Sequence, residues 1–258
     1  MLLDWFVPLY ISAIGLIVGS YLNVVIYRLP RGLSTVLPVS KCPHCQSRIR
    51  ARHNVPLVGW LLLLGRCRDC DGPISARYPL VEAATGLFFL ASYLRFGLTW
   101  EALVSAVFAS SMVALAMIDA EHFILPDRIT LPGIAVGLAV QSLVGWTSLR
   151  SALLGAAAGA GVILFMNGLW WLLRRVQGFG LGDVKMLAMI GAVLGLSGMV
   201  LTLFLGTLVG SLTGLALVAR GEIGMRSKLP FGFFLALGSI ASIYLGPALV
   251  GWYVSFFP

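Results

Sequence analysis

Two aspartates and four cysteines carry most of the chemistry that this sequence offers. Asp183 stands in Gly178-Phe-Gly-Leu-Gly-Asp-Val-Lys185, where a glycine-rich loop enters an apolar helix. A carboxylate is costly to bury near lipid, so an ionisable residue there is read first as functional. Gly180 and Gly182 allow backbone conformations and close approaches that a Cβ would forbid. Taken alone, Asp183 has a second reading, as a cap for the free N–H groups of the helix it begins. Asp119 is the second acid, at the end of an apolar run that leads into Ala-Glu-His-Phe-Ile-Leu-Pro126-Asp127. Two neighbouring carboxyl groups cannot both ionise cheaply and tend to share a proton. One can then activate water as a base while its protonated partner polarises a carbonyl.

The cysteines form two Cys-x-x-Cys pairs, Cys42-Pro-His-Cys45 and Cys67-Arg-Asp-Cys70, with 21 residues between them. That spacing suits four thiolates around one tetrahedral zinc ion. Paired disulfides or redox sites are the alternative, against which a cytoplasmic position argues. A soluble segment of about 50 residues, 31–78, has little core of its own, so a metal staple meets a physical need. With four thiolates present, His44 and His53 read as surface residues. Between the knuckles, the apolar run from Asn54 to Leu64 is too short to span and suits the membrane interface or a place under the metal site.

What must position these groups is a membrane domain. Hydrophobic residues make up 59% of the 258 and charged residues 11%, too apolar for an ordinary soluble domain. Apolar runs recur near the roughly 20 residues of a spanning helix, and the alternation that a barrel requires is absent. The pattern predicts eight spans, at about 5–27, 79–96, 101–118, 129–147, 151–173, 184–197, 199–219 and 230–256. A tight turn at Leu196-Ser-Gly198 separates the sixth and seventh.

The formal charge of +8 is then topological rather than a mark of nucleic-acid binding. Sixteen of the 18 Lys and Arg fall in alternate loops or at their edges; Arg95 and Arg150 lie on the other side. This positive-inside asymmetry places both termini outside the cytoplasm. No basic residue precedes the first span, which therefore reads as retained rather than as a cleaved signal. Within it, Asn23 reads as a helix-packing hydrogen bonder; Glu82, one turn into the second, reads as a partner of Arg77 or as facing a polar cavity. Span three descends to the cytoplasm and ends at Asp119, and span six leaves it from Asp183. The two acids thus share one depth, although 64 positions separate them.

Over nearly its whole length the chain resembles the type IV prepilin peptidases, leader peptidases of the GxGD aspartic class with N-methyltransferase activity. The resemblance lies in both cysteine pairs, Asn23-Val-Val-Ile-Tyr-Arg-Leu-Pro30, Arg77-Tyr-Pro-Leu-Val-Glu82, Asp119 through Asp127, and Gly180-Leu-Gly-Asp-Val-Lys185. It implies that Asp119 and Asp183 are catalytic, supported by Gly180, Gly182 and Lys185. It also implies that Cys42, Cys45, Cys67 and Cys70 bind zinc, and that Gly65 serves methylation. The implied fold is an all-α polytopic membrane protein of about eight helices. Its parts are a first helix at 1–30, a cytoplasmic zinc insertion at 31–78 and a seven-helix domain at 79–258. The implied partners are a prepilin or pseudopilin substrate and membrane lipid, with S-adenosylmethionine as methyl donor and no nucleic acid. The implied location is the bacterial inner membrane, with the active site at the cytoplasmic face.

One departure stands out: the family's late Pro-Phe-Gly-Pro-Phe-Leu reads Pro230-Phe-Gly-Phe-Phe-Leu235 here, with Phe233 in place of a proline. The retained cysteines favour the bifunctional branch over a peptidase-only relative. Two other classes fit parts of the sequence. One is a non-enzymatic membrane scaffold that uses the zinc segment to hold a partner. The other is a proton-coupled transporter, whose acids would sit nearer the bilayer midplane.

Overall fold

The computed structural model describes residues 2–37, 39–175, 178–224 and 227–256; Arg226, one of the cytoplasmic cations expected above, lies outside them. The described chain is helical, with two isolated antiparallel bridges, Lys41 with Arg48 and Arg66 with Pro73. It divides into two compact units, residues 1–114 and 115–258.

In the first unit, α1 (Leu2–Arg28) packs on α3 (Arg77–Phe96). Small residues let the two backbones approach, as helices in lipid require: a Cβ on Gly15 would lie 2.8 Å from the Gly86 Cα, and one on Gly19 would lie 2.7 Å from the Glu82 Cα. Asn23 ties the pair together, its Nδ2 donating to the Tyr78 carbonyl at 3.0 Å and to Gly19 at 3.3 Å. Between these helices the apolar run at 54–64 makes only the five-residue α2 (Val58–Leu62). α4 (Trp100–His122) follows, and the division between the units falls within it.

The second unit continues with α5 (Asp127–Leu143), α6 (Leu149–Arg174), α7 (Leu181–Ala219) and α8 (Phe231–Val254). At about 1.5 Å per residue, the 39 residues of α7 would reach nearly twice the roughly 30 Å of a hydrocarbon core if they were straight. They are not straight. Gly195 takes φ 71° and ψ −175°, a break that no L side chain tolerates well. Contacts on both sides of it show the chain doubling back. Gly182 abuts Leu125, and Leu125 in turn abuts Gly232 at the start of α8. Gly210 packs on Phe234, also at the start of α8, whereas Gly198 accepts a hydrogen bond from Ser242 farther along it. Both ends of α7 therefore lie near the start of α8, with the break at the opposite end.

The reversal strands main-chain groups, and side chains answer them. Gln141 of α5 donates to the Val193 carbonyl at 2.7 Å, and Ser151 of α6 accepts the Leu196 N–H at 3.1 Å. The outgoing arm also packs tightly on α6: a Cβ on Gly191 would run into the Gly155 backbone.

Among the described residues five helices, α1, α4, α6, α7 and α8, are long and apolar enough to cross a membrane. α3, with 20 residues, and α5, with 17, were expected to cross as well and are not among them.

Candidate active site and metal centre

Asp119 lies in the last turn of α4, which Phe123 ends by adopting a left-handed φ of 54° and donating its N–H to the Asp119 carbonyl at 2.9 Å. The side chain is buried, at 5% exposure. Its Oδ2 accepts the N–H of Phe233 at 3.0 Å, from the first turn of α8. The amide of Gly232 faces the same carboxyl group. A Cβ on Gly232 would lie 2.9 Å from that same Oδ2, so glycine is what lets the carboxylate reach the helix start.

Asp183 occupies the first turn of α7 and is half-buried. Its Oδ2 accepts the Gly180 N–H at 3.1 Å, while its own N–H donates to the Gly180 carbonyl at 3.2 Å. Asp183 is thus a helix cap, as one reading of the sequence had it, and it also feels the charge of Asp119. The start of α7, which carries Asp183, and the start of α8, which binds Asp119, both abut Leu125. A Cβ on Gly182 would lie 2.9 Å from the Leu125 Cβ, and one on Gly232 2.9 Å from its Cδ1. The two motif glycines differ in kind. Gly182 makes room for Leu125, whereas Gly180 is extended (φ −74°, ψ 152°) and a Cβ there would make ordinary contacts.

Lys185 does not point its charge at either acid. Its Nζ meets both oxygens of Asp127, at 2.7 and 2.8 Å, and so ties the first turn of α7 to that of α5. Asn167 of α6 was not singled out from the sequence. Its carboxamide holds Phe179 through both main-chain groups, Oδ1 accepting at 2.7 Å and Nδ2 donating at 3.0 Å. The Phe179 ring packs against Phe231 of α8, with centroids 5.1 Å apart. The loop before Asp183 is therefore fixed from two helices. Nothing in the residue type of Asn167 marks this role; only its depth within an otherwise apolar segment hints at it.

The cysteines form a separate site in the first unit. Their four Sγ atoms all lie within 4.8 Å of one another, and none is in a disulfide. The two knuckles repeat one backbone pattern. Cys42 and Cys67 donate their N–H groups to Ser47 and Gly72, five residues on, and accept from Gln46 and Asp71, each at positive φ. Metal–sulfur bonds of about 2.3 Å at tetrahedral angles put sulfurs about 3.8 Å apart, and Cys42 and Cys70 stand at 3.8 Å. Such donors suit a thiophilic metal. The Ser47 side chain, 3.0 Å from the Cys45 sulfur, is the main reason that this thiol is lowered to about 6. Cys67 is lowered by the amides of Asp69 and Cys70. The Gly72 amide pulls Cys70 down, but burial and the adjacent thiols outweigh it and push Cys70 up to about 12. One crowded cluster cannot hold four negative sulfurs without a cation.

Gly65, two residues before Cys67, sits at φ +69°, and a Cβ there would lie 2.9 Å from Cζ2 of Trp60. Glu82 is buried and accepts the Leu57 N–H at 2.8 Å.

Residues 13–96 match the bacterial peptidase A24 N-terminal domain, and residues 106–215 match the type IV leader peptidase family. A prepilin leader peptidase/N-methyltransferase from Aeromonas hydrophila is 36% identical over 99% of this chain and 96% of its own length. The chain belongs to the type IV leader peptidase family. Relatives of the same description occur in Stutzerimonas stutzeri, 36% identical over 94% of this chain and 92% of the relative, and in Myxococcus xanthus, 41% identical over 87% and 68%. No solved structure matches. The N-terminal match contains the cysteine cluster, and the leader-peptidase match contains Asp119 and Asp183.

Proposed function

We propose that this chain is a membrane aspartic endopeptidase that removes the leader of type IV prepilins or pseudopilins after its terminal glycine, then N-methylates the exposed residue. What supports the reading is that Leu125 abuts both Gly182, the neighbour of Asp183, and Gly232, against which the Asp119 carboxyl group lies, in a chain that matches leader peptidases nearly end to end. Asp119 and Asp183 are the catalytic pair. One carboxylate takes a proton from water, and the resulting oxygen nucleophile attacks the scissile carbonyl carbon. The other, protonated, donates to the carbonyl oxygen as negative charge develops there. Collapse of the tetrahedral species breaks the C–N bond, and the leaving amine takes a proton from the acid pair.

Lys185 and Gly182 act by position, fixing the first turn of α7 against α5 and Leu125. Cys42, Cys45, Cys67 and Cys70 hold a structural zinc ion, whose bonds substitute for the core that segment 31–78 lacks. S-adenosylmethionine supplies an electrophilic methyl group to the new amine. The chain crosses the bacterial inner membrane eight times, the two arms of α7 counting separately, with both termini outside and the acids at the cytoplasmic edge. A substrate with a basic cytoplasmic leader and an apolar helix places its cleavage site at that level.

Mass spectrometry of a prepilin co-expressed with the chain tests this directly. The expected product lacks the leader and is one methyl group heavier at its new N-terminus. Asp119→Asn and Asp183→Asn should each leave the precursor intact, in protein that is inserted normally and retains its metal. Substantial cleavage by either variant would remove that residue from the catalytic pair.

A further inference from the structure

The unit that carries the cysteines also holds a partly open cavity of about 750 Å³, within the roughly 300–1,000 Å³ of small-molecule sites. Its wall runs from the end of α1 across the intervening loops to the start of α3, and includes Asn23, Tyr27, Arg28, Trp60, Tyr78 and Glu82. Arg31 and Arg77 also line it, and both already lie over aromatic rings, Arg31 over Tyr27 at 4.2 Å and Arg77 over Tyr78 at 5.1 Å. Opposed to these cations is one buried carboxylate, Glu82, at 8% exposure.

A second observation points to a ligand. Asn23 is 3% exposed, and its orientation is fixed because Nδ2 donates to two carbonyl oxygens. Its Oδ1 is consequently an acceptor that no donor among the described residues meets. An unmet buried acceptor is costly, and Asn23 is one of the residues that line the cavity.

We infer that this cavity is the seat of the methyl donor, S-adenosylmethionine, an inference that rests on the methyltransferase reading above. The donor carries a carboxylate, an ammonium, a sulfonium and an adenine ring. Guanidinium groups suit the carboxylate. Glu82 and Asn23 Oδ1 accept from the ammonium. Aromatic faces favour a sulfonium as they do other soft cations, and among the described residues the Trp60 ring carries no cation of its own. Trp60 is also held from two sides. Its Nε1 donates to the Ile74 carbonyl at 3.1 Å, and Gly65 packs against its edge so closely that any side chain at 65 must displace it. Gly65 is thereby a positioning residue for Trp60. A simple anion would use the guanidinium groups but neither the charge of Glu82 nor the face of Trp60.

Radiolabelled S-adenosylmethionine titrated into full-length, metal-loaded protein in detergent, without pilin, reads this out as binding. One saturable site per chain is expected. Glu82→Gln keeps the acceptor for Leu57 and removes only the charge; it and Trp60→Leu should each weaken binding about tenfold or more, at unchanged metal content. S-adenosylhomocysteine, a neutral thioether, should bind more weakly than the sulfonium, and Trp60→Leu should narrow that gap. Ultraviolet cross-linking of the donor to the unaltered protein gives a second measure, with label expected on peptides containing Trp60 or Tyr78. Undiminished binding by both variants, or label confined to residues beyond 115, would place the donor elsewhere and leave the methyltransferase reading standing. Protein that neither binds the donor nor methylates a cleaved pilin would overturn that reading itself.

Discussion

Proline at position 233 would preserve the start of α8, since the first turn of a helix needs no N–H from that residue. It would remove the main-chain donor that meets Asp119 at 3.0 Å. Phe233→Pro restores the family pattern at this position, and the Gly232 amide stays in place. The expected cost is therefore that of one hydrogen bond, about 1 kcal/mol or several-fold in single-turnover cleavage. An unchanged rate would mean that the Phe233 donor is dispensable. The acids and thiols were legible in the sequence because their chemistry belongs to residue type. The groups that hold them were not: main-chain amides of Gly232 and Phe233 have no letter of their own. Lys185 illustrates the same limit, since its place in a catalytic motif said nothing of its pairing with Asp127, 58 positions away.

At the scale of elements, the metal knuckles give a pH-dependent expectation. Thiols must lose their protons to bind metal, so affinity rises with pH and falls on acidification. Cys45, already lowered to about 6, is the ligand least readily protonated. Metal retained at about pH 8 should be released progressively as pH falls through about 6, with residues 31–78 becoming protease-sensitive over the same range. Cys67→Ser should lose metal at every pH tested, and a fully loaded, protease-resistant variant would refute a structural ion.

Gly195 poses a different test. A side chain there meets both a forbidden φ and the Ser151 hydroxyl, 2.7 Å from the Cβ position. Gly195→Ala should destabilise the second unit by about 1–3 kcal/mol, read as a lower midpoint in thermal unfolding in detergent. The sequence placed this reversal at Leu196-Ser-Gly198. Both candidate glycines suit a turn, and the choice between them is made by Ser151 and Gln141, whose contacts are long-range.

For the whole molecule, the hairpin makes a claim about sides of the membrane. Alkaline phosphatase fused after Leu196 should be active, and the same enzyme fused after Gly178 should be inactive, because an outgoing arm separates the two sites. Equal activity at both would mean that the arm does not cross. Hydropathy alone found the helices and their order, since long apolar runs survive any arrangement of neighbours. It read the two arms of α7 as separate spans but did not mark Gly195 as the break, because composition does not change there. That break also bears on the order of synthesis. Its two side-chain partners, Gln141 and Ser151, precede Gly195 in the chain. When the bend leaves the ribosome, the groups that satisfy its loose amide and carbonyl have already been made. The fold can thus be completed from the N-terminal side, without waiting for α8 to shelter exposed backbone from lipid.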